Sequence, residues 1–181
     1  MNSDTDRAVL SRTLRVDDIR DGASGEVAVT KAEMSAIARM LALVALEGLS
    51  FTYRLDHGGS DRLRLTGRLR ANVTQTCVVS LDPVEASLDV PVEVEFWPAA
   101  LIEELERSAE EPGSLGLLDW PEAVVDGRID LGPVIYETLA TALEPYPKRE
   151  GVSFDWSQGP SEEAPSAKSG PFADLAALKR R

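Results

Sequence analysis

The side chains of this chain best placed for chemistry on a partner are the arginines Arg62, Arg64, Arg68 and Arg70, with Arg54 upstream. Residues two apart on a strand share a face, and a guanidinium offers five N–H donors and no acceptor. The chemistry on offer is therefore recognition of an anion, a phosphate or a carboxylate. Other candidates are weaker. Cys77 is the only cysteine and falls on the inward face by alternation, so it reads as a buried structural thiol with nothing in its surroundings to lower its pKa. A metal site would need more ligands: the position three residues on is Ser80, and His57 is the only histidine. His57 lies beside Gly58-Gly59 and reads as a solvated loop residue rather than a general base. Glu103-Glu104 and Glu110-Glu111 read as solvated acids. No glycine-rich phosphate loop and no nucleophile elbow occur. The expectation is no catalytic residue, no metal and no cofactor.

The elements that would position the arginines follow from period-two alternation. Phe51, Tyr53 and Leu55 face one way, and Thr52, Arg54 and Asp56 the other. After Gly58-Gly59-Ser60, Leu63, Leu65, Leu69, Ala71 and Val73 face inward and the arginines outward. After Asp82-Pro83, Leu88, Val90, Val92, Val94 and Phe96 face inward, with Asp89, Glu93 and Glu95 outward. Such alternation predicts an antiparallel sheet with one wet face. Parity requires paired positions across the Asp82-Pro83 turn to sum to an odd number. The expected register sets Arg70 opposite Glu95, Asn72 opposite Glu93 and Thr76 opposite Asp89. Across the Gly58-Gly59 turn the sum must be even, and the expected register sets Arg54 opposite Arg62 or Arg64. Like charges directly opposed are unfavourable without an anion between them. Asp56 or Asp61 could supply it; so could an RNA phosphate or an acidic partner. Arg54, Arg62 and Arg64 are thus the candidate anion- or RNA-binding residues.

Residues 8–16 and 25–30 read as short strands around a turn at Asp21-Gly22. Thr30 and Glu33 have capping-box spacing, Met34, Ile37, Leu41 and Val44 form a helical stripe, and Gly48 is placed to end it. Residues 99–118 read as an acidic helix and a glycine-containing loop. Asp130 caps a further helix with Leu131, Ile135, Leu139 and Ala142 on its buried stripe, stopped by Pro145-Tyr146-Pro147. Residues 151–170 are rich in Ser, Pro, Glu and Gly and read as a disordered linker, and 171–181 can form one short amphipathic helix. The expected fold is α+β, an antiparallel sheet or barrel-like variant packed with two or three helices. Residues 1–150 form one domain and residues 151–181 a flexible tail.

The net charge is −12 over 181 residues. It is uneven: residues 1–70 hold 11 basic and 10 acidic side chains, residues 71–150 hold 4 and 17. That balance argues against a general nucleic-acid binder and for attraction of a basic protein. No apolar run is long enough to span a bilayer, the first residues lack a leader's apolar core, and one cysteine fits a reducing compartment. A cytoplasmic protein without membrane contact is expected.

Gly67 to Ala71, Gln75-Thr76-Cys77-Val78-Val79-Ser80-Leu81-Asp82-Pro83-Val84 and Asp126-Gly127-Arg128-Ile129-Asp130-Leu131-Gly132 occur in order, followed by Glu137-Thr138-Leu139 and Leu143-Glu144-Pro145-Tyr146-Pro147. With the ending Pro171-Phe172-Ala173-Asp174-Leu175, this sequence resembles the YceD family, the large ribosomal RNA subunit accumulation proteins. The resemblance singles out Gln75, Cys77, Pro83, Asp130, Gly132, Glu137, Pro145, Tyr146 and Pro147. Some members carry a second cysteine in a Cys-x-x-Cys pair; here that position is Ser80. Glu137 lies off the apolar stripe of its helix and reads as a solubilising residue. The resemblance implies a non-enzymatic ribosome-biogenesis factor supporting accumulation or processing of large-subunit ribosomal RNA. Its partner would be a ribosomal RNA precursor, bound by Arg54, Arg62 and Arg64, or a basic ribosomal protein held by the acidic middle region. The reading from another class is a small-ligand-binding α+β domain.

Overall fold

The computed structural model describes residues 9–59, 61–109 and 120–153. The elements run β1 (Thr13–Arg15), a 3-10 turn (Val16–Asp18), β2 (Ala23–Ala28), α1 (Lys31–Met40), β3 (Ala45–His57), β4 (Leu63–Thr76), β5 (Pro83–Pro98), α2 (Ala99–Ala109), β6 (Glu122–Val124), β7 (Arg128–Asp130) and α3 (Leu131–Ala142). The fold is α+β. The main sheet has the order β2-β3-β4-β5-β6, and β1 pairs with β7 in a separate two-stranded ribbon. The sheet is open with β2 and β6 at its edges, not a barrel. All neighbours are antiparallel except β5 and β6, which run parallel over Phe96–Pro98. By contacts the chain divides into residues 1–150 and 151–181. The expected linker over 151–170 lies outside the described residues from residue 154 onward, as do the terminal helix over 171–181 and the loop after α2.

The core sits on one face of the sheet. Phe51, Leu55, Leu63, Leu65, Leu69, Ala71, Val73, Val92 and Phe96 are buried together with Ile37 of α1 and Leu131, Val134, Ile135 and Leu139 of α3. These are the residues that alternation assigns inward on β3, β4 and β5. Removing apolar surface from water, which contributes about 25 cal/mol per Å² buried, is what holds the helices on this face. Gly67 marks a close approach: a Cβ there would lie 2.7 Å from the Thr52 carbonyl oxygen and 2.9 Å from the Phe51 ring.

The start of α1 follows the sequence reading. The Thr30 hydroxyl accepts from the Glu33 N–H, and Glu33 accepts from the Thr30 N–H at 2.8 Å, a complete capping box. Its end is earlier than expected. Leu43 N–H donates to Ala38 O and Ala42 N–H to Arg39 O, and Ala42 takes φ +52°. This is a Schellman ending with alanine as the left-handed residue. Gly48, expected to end the helix, instead sits at φ +63° where β3 slips register against β4 between Glu47 and Ser50. Val44 consequently leaves the helical stripe and is exposed.

Two further corrections concern the N-terminal strands and the hairpin registers. β1 does not pair with β2; it reaches across to β7, with Thr13 opposite Asp130. β5 pairs with β4 six positions away from the expected register, so Arg70 faces Asp89, Asn72 faces Ser87 and Thr76 faces Pro83. The parity is as the alternation requires. The offset differs because the chain does not turn at Asp82-Pro83. It turns through residues 78–81, closed by Cys77 N–H to Asp82 O at 2.8 Å and Leu81 N–H to Cys77 O at 3.0 Å, with Leu81 at φ +63°. Likewise β3 and β4 are joined by a loop closed by Gly58 N–H to Arg62 O, which sets Arg54 opposite Thr66 and Asp56 opposite Arg64.

Candidate functional site

The wet face of the sheet is built from the outward residues of β2 to β5. Here the registers place each candidate arginine beside a specific neighbour. Arg54 meets Asp56 on its own strand, Nη2 to Oδ1 at 2.9 Å, and its guanidinium lies against Gly22. Arg64 lies between Asp56 and Glu95 in the ladder and binds Glu95 at 3.2 Å and Glu93 at 3.6 Å. Arg62 stacks on Trp97, its Cζ 3.7 Å from the ring centroid. A cation over an indole face contributes roughly 0.5–2 kcal/mol depending on exposure. The Arg62 Nε is buried and finds no hydrogen-bond partner among the described residues. The like-charged opposition of Arg54 with Arg62 or Arg64 does not occur, and Arg64 does not outrun the acidic strand.

Farther along β4, Arg68 and Arg70 share Asp89 at 2.7 and 3.4 Å. The Arg68 hydrogen bond, helped by the charge of Arg70, holds the Asp89 carboxyl below the ordinary range. Glu95 is lowered by the Trp97 indole N–H, which donates at 2.9 Å, and by Arg64. β4 and β5 thus face each other as a basic and an acidic row, each pair contributing tenths to about 1 kcal/mol at such exposed positions. Glu85 on β5 and Glu47 on β3 have no ion pair among the described residues. They line a polar groove of about 490 Å³ with Asn72, Thr74 and Ser87.

The family-motif residues gather at two other places. Gln75, Cys77 and Pro83 flank the β4–β5 turn, and the segment after α3 runs back onto them. Gln75 Nε2 donates to Glu144 O at 2.9 Å, Val78 N–H donates to Pro147 O at 2.9 Å, and Arg149 pairs with Asp82 at 3.0 Å. Cys77 is fully buried. Its Sγ accepts from the Ser80 and Arg149 N–H groups, each at 3.4 Å. Contrary to the sequence expectation, these surroundings do lower its pKa. The Ser80 hydroxyl, then the N–H groups of Ser80, Arg149 and Val79, bring it to about 6 against the opposing effect of burial. The signal was Ser80, three residues after Cys77; the Arg149 donor is 72 residues away and invisible to spacing. Around this knot Val78, Leu81 and Tyr146 are exposed.

Asp130 and Gly132 tie the N-terminal strand to α3. Asp130 accepts from Gly132 N–H at 2.9 Å, Arg12 N–H at 2.6 Å and the Ser11 hydroxyl at 2.7 Å. A Cβ on Gly132 would collide with the Leu10 carbonyl oxygen, so only glycine allows this approach. Arg12 in turn binds Glu33 with both terminal nitrogens at 2.9 Å. Glu137 is exposed on α3, and its charge adds to burial in raising the Glu122 carboxyl. Pro145 and Tyr146 follow the helix, and Tyr146 N–H donates to the Glu144 carboxylate. His57 is the last residue of β3; its Nε2 lies 2.9 Å from Ile19 O, and its backbone N–H donates to Asp21. A cleft of about 690 Å³ lies beside Phe96, Glu122, Asp126 and Arg128. No group of three His, Cys, Asp or Glu side chains with metal-binding geometry occurs among the described residues. Among these residues no helix is long and apolar enough to cross a membrane.

No curated protein and no solved structure matches the chain. A family model does, over residues 65–179, and its description is large ribosomal RNA subunit accumulation protein YceD. The match begins at Leu65, so the motif residues and all of β5 lie inside it, while Arg54, Arg62 and Arg64 precede it. It covers more than half of the sequence, and the chain belongs to the YceD family, with the role in large-subunit ribosomal RNA accumulation that this description carries.

Proposed function

We propose that this protein is a non-enzymatic, cytoplasmic ribosome-biogenesis factor that supports accumulation of large-subunit ribosomal RNA by holding a basic ribosomal protein. The observation that carries this reading is the state of the arginines. On the wet face Arg54, Arg64, Arg68 and Arg70 are each paired with a carboxylate and Arg62 is stacked on Trp97. A phosphate backbone would have to displace those partners, whereas Glu85 and Glu47 remain without an ion pair among the described residues. With 17 acidic against 4 basic side chains in residues 71–150, the field favours a cationic partner. Binding would weaken as salt rises, because exposed charges are screened beyond roughly 8 Å at physiological ionic strength.

The test mixes the purified full chain with individual large-subunit ribosomal proteins and, separately, with pre-ribosomal RNA fragments, across a salt series. Salt-sensitive capture of a basic ribosomal protein, lost in a Glu47→Lys/Glu85→Lys variant, is expected. Binding of RNA that is abolished by replacing Arg54, Arg62 and Arg64 with Glu, with no ribosomal protein captured, would replace this reading with direct RNA recognition.

A further inference from the structure

β5 is 16 residues long but, among the described residues, has a second neighbour over only three of them. β4 pairs with Pro83–Phe96, whereas β6 pairs only with Phe96, Trp97 and Pro98. Among the described residues nothing bonds to the other side of β5 from Val84 to Glu95. The prolines reveal which backbone groups face that open side. Proline has no N–H, so the ladder can run unbroken through Arg68 and Pro91 only if the Pro91 nitrogen points away from β4. The register has no bulge, so Glu85, Ser87, Asp89 and Glu93 share that orientation and offer their N–H and C=O groups outward. Pro91 interrupts the row of donors and leaves the stretch from Val84 to Val90 as an uninterrupted edge.

The two sides of this edge differ in chemistry. On the wet face lie Glu85 and Asp89, with Glu47 across the groove of about 490 Å³. On the other face Val84, Ala86, Leu88 and Val90 are only half-buried. We propose that the Val84–Val90 edge is a strand-addition site for an extended segment of a basic protein in which basic and apolar residues alternate. Its basic side chains would lie beside Glu85, which has no ion pair among the described residues, and its apolar ones would cover the half-buried row. A second copy of this chain is the poorer occupant, because β5 against β5 brings Glu85, Asp89 and Glu93 of both strands together. The inference rests on the reading that the partner is a basic protein.

The test uses the full chain and a fluorescent peptide of alternating lysine and valine. Ser87→Pro removes one outward N–H without touching the β4 ladder, as Pro91 already does, and Ser87→Ala controls for the lost hydroxyl bond to Asn72. Ser87→Pro is expected to weaken binding about fivefold or more while Ser87→Ala stays near wild type. N-methylation of the peptide at its strand-facing amides should weaken binding similarly, which decides the matter on wild-type protein if Ser87→Pro does not fold. On binding, the Glu85, Ser87 and Asp89 amides should exchange more slowly. Equal binding by the Ser87→Pro and Ser87→Ala variants, indifference to N-methylation, unchanged exchange, or no binding of the peptide would each overturn the site. A basic ribosomal protein captured equally by wild type and Ser87→Pro overturns the edge alone; wild type capturing none overturns the proposed function with it.

Discussion

Replacing Asp130 with alanine tests how the segment before β1 is joined to α3. The carboxylate caps α3 through Gly132 N–H and accepts from Arg12 N–H and the Ser11 hydroxyl. Loss of an N-cap costs about 1 kcal/mol, and each of the other bonds about as much when a partly buried donor is left unpaired, so Asp130→Ala should lose about 2–4 kcal/mol. Out of a typical stability of about 5–15 kcal/mol that is readily measured as a shift of the urea midpoint at unchanged slope. Asp130→Asn, which keeps one acceptor oxygen, should lose roughly half. The pH dependence gives a second check. Burial pushes the carboxyl up, but the bonds from Ser11, Arg12 and Gly132 and the charge of Arg12 outweigh it, and the net shift is downward. A carboxyl depressed in the folded state stabilises above its unfolded value and loses that contribution as pH falls through the folded one. The gap between wild type and Asp130→Ala should therefore narrow below about pH 4. A loss under about 0.5 kcal/mol at pH 7, or a gap that stays constant on acidification, would refute the reasoning.

Gly132→Ala should cost about 3 kcal/mol or more, since the added Cβ meets the Leu10 carbonyl and Ser11 Cα, which are backbone and cannot rotate away; limited trypsin digestion at Arg12 and Arg15 should become fast. Glu33→Gln should lose about 1–2 kcal/mol near neutral pH. The Glu33 carboxyl is lowered to about 2, first by Arg12 and then by Thr30, so this difference should be full above an ordinary carboxyl's 4.5 and vanish as pH falls toward 2, as read by thermal unfolding against pH. Cys77, though its pKa is about 6, is completely covered. Thiol labelling at pH 7 should therefore wait for opening of the knot and accelerate in the Arg149→Pro variant, which removes one donor to Sγ; immediate labelling of the native protein would contradict the burial.

Much of the architecture is legible in local pattern. The inward set Phe51, Leu55, Leu65, Leu69, Val73 and Phe96 is buried as alternation requires, because a pleated strand has no other way to separate apolar from polar residues. The Thr30–Glu33 box and the Asp130 cap are read correctly because each is satisfied within three residues. The end of α1 is not, since an alanine took the left-handed position that glycine usually fills. The registers around the arginines differ from the expected ones. Arg54 and Arg64 lie on the outward face, but the presence of Glu95 opposite Arg64 depends on an offset that alternation leaves open.

The sequence by itself determined the fold class and, through its motifs, the family; it also determined the parity of the β3–β4 and β4–β5 hairpins, because side chains alternate with a period of two and each misstep would bury a charge. It did not determine the offset. That was decided by the Cys77–Asp82 turn, whose closure joins residues near in the chain to Arg149 and Pro147 far along it. Sliding β5 by six positions preserves every inward and outward assignment while changing every partner. Only the folded chain could therefore show that, among the described residues, the arginines are matched, Glu85 is not, and one side of β5 has no strand beside it from Val84 to Glu95.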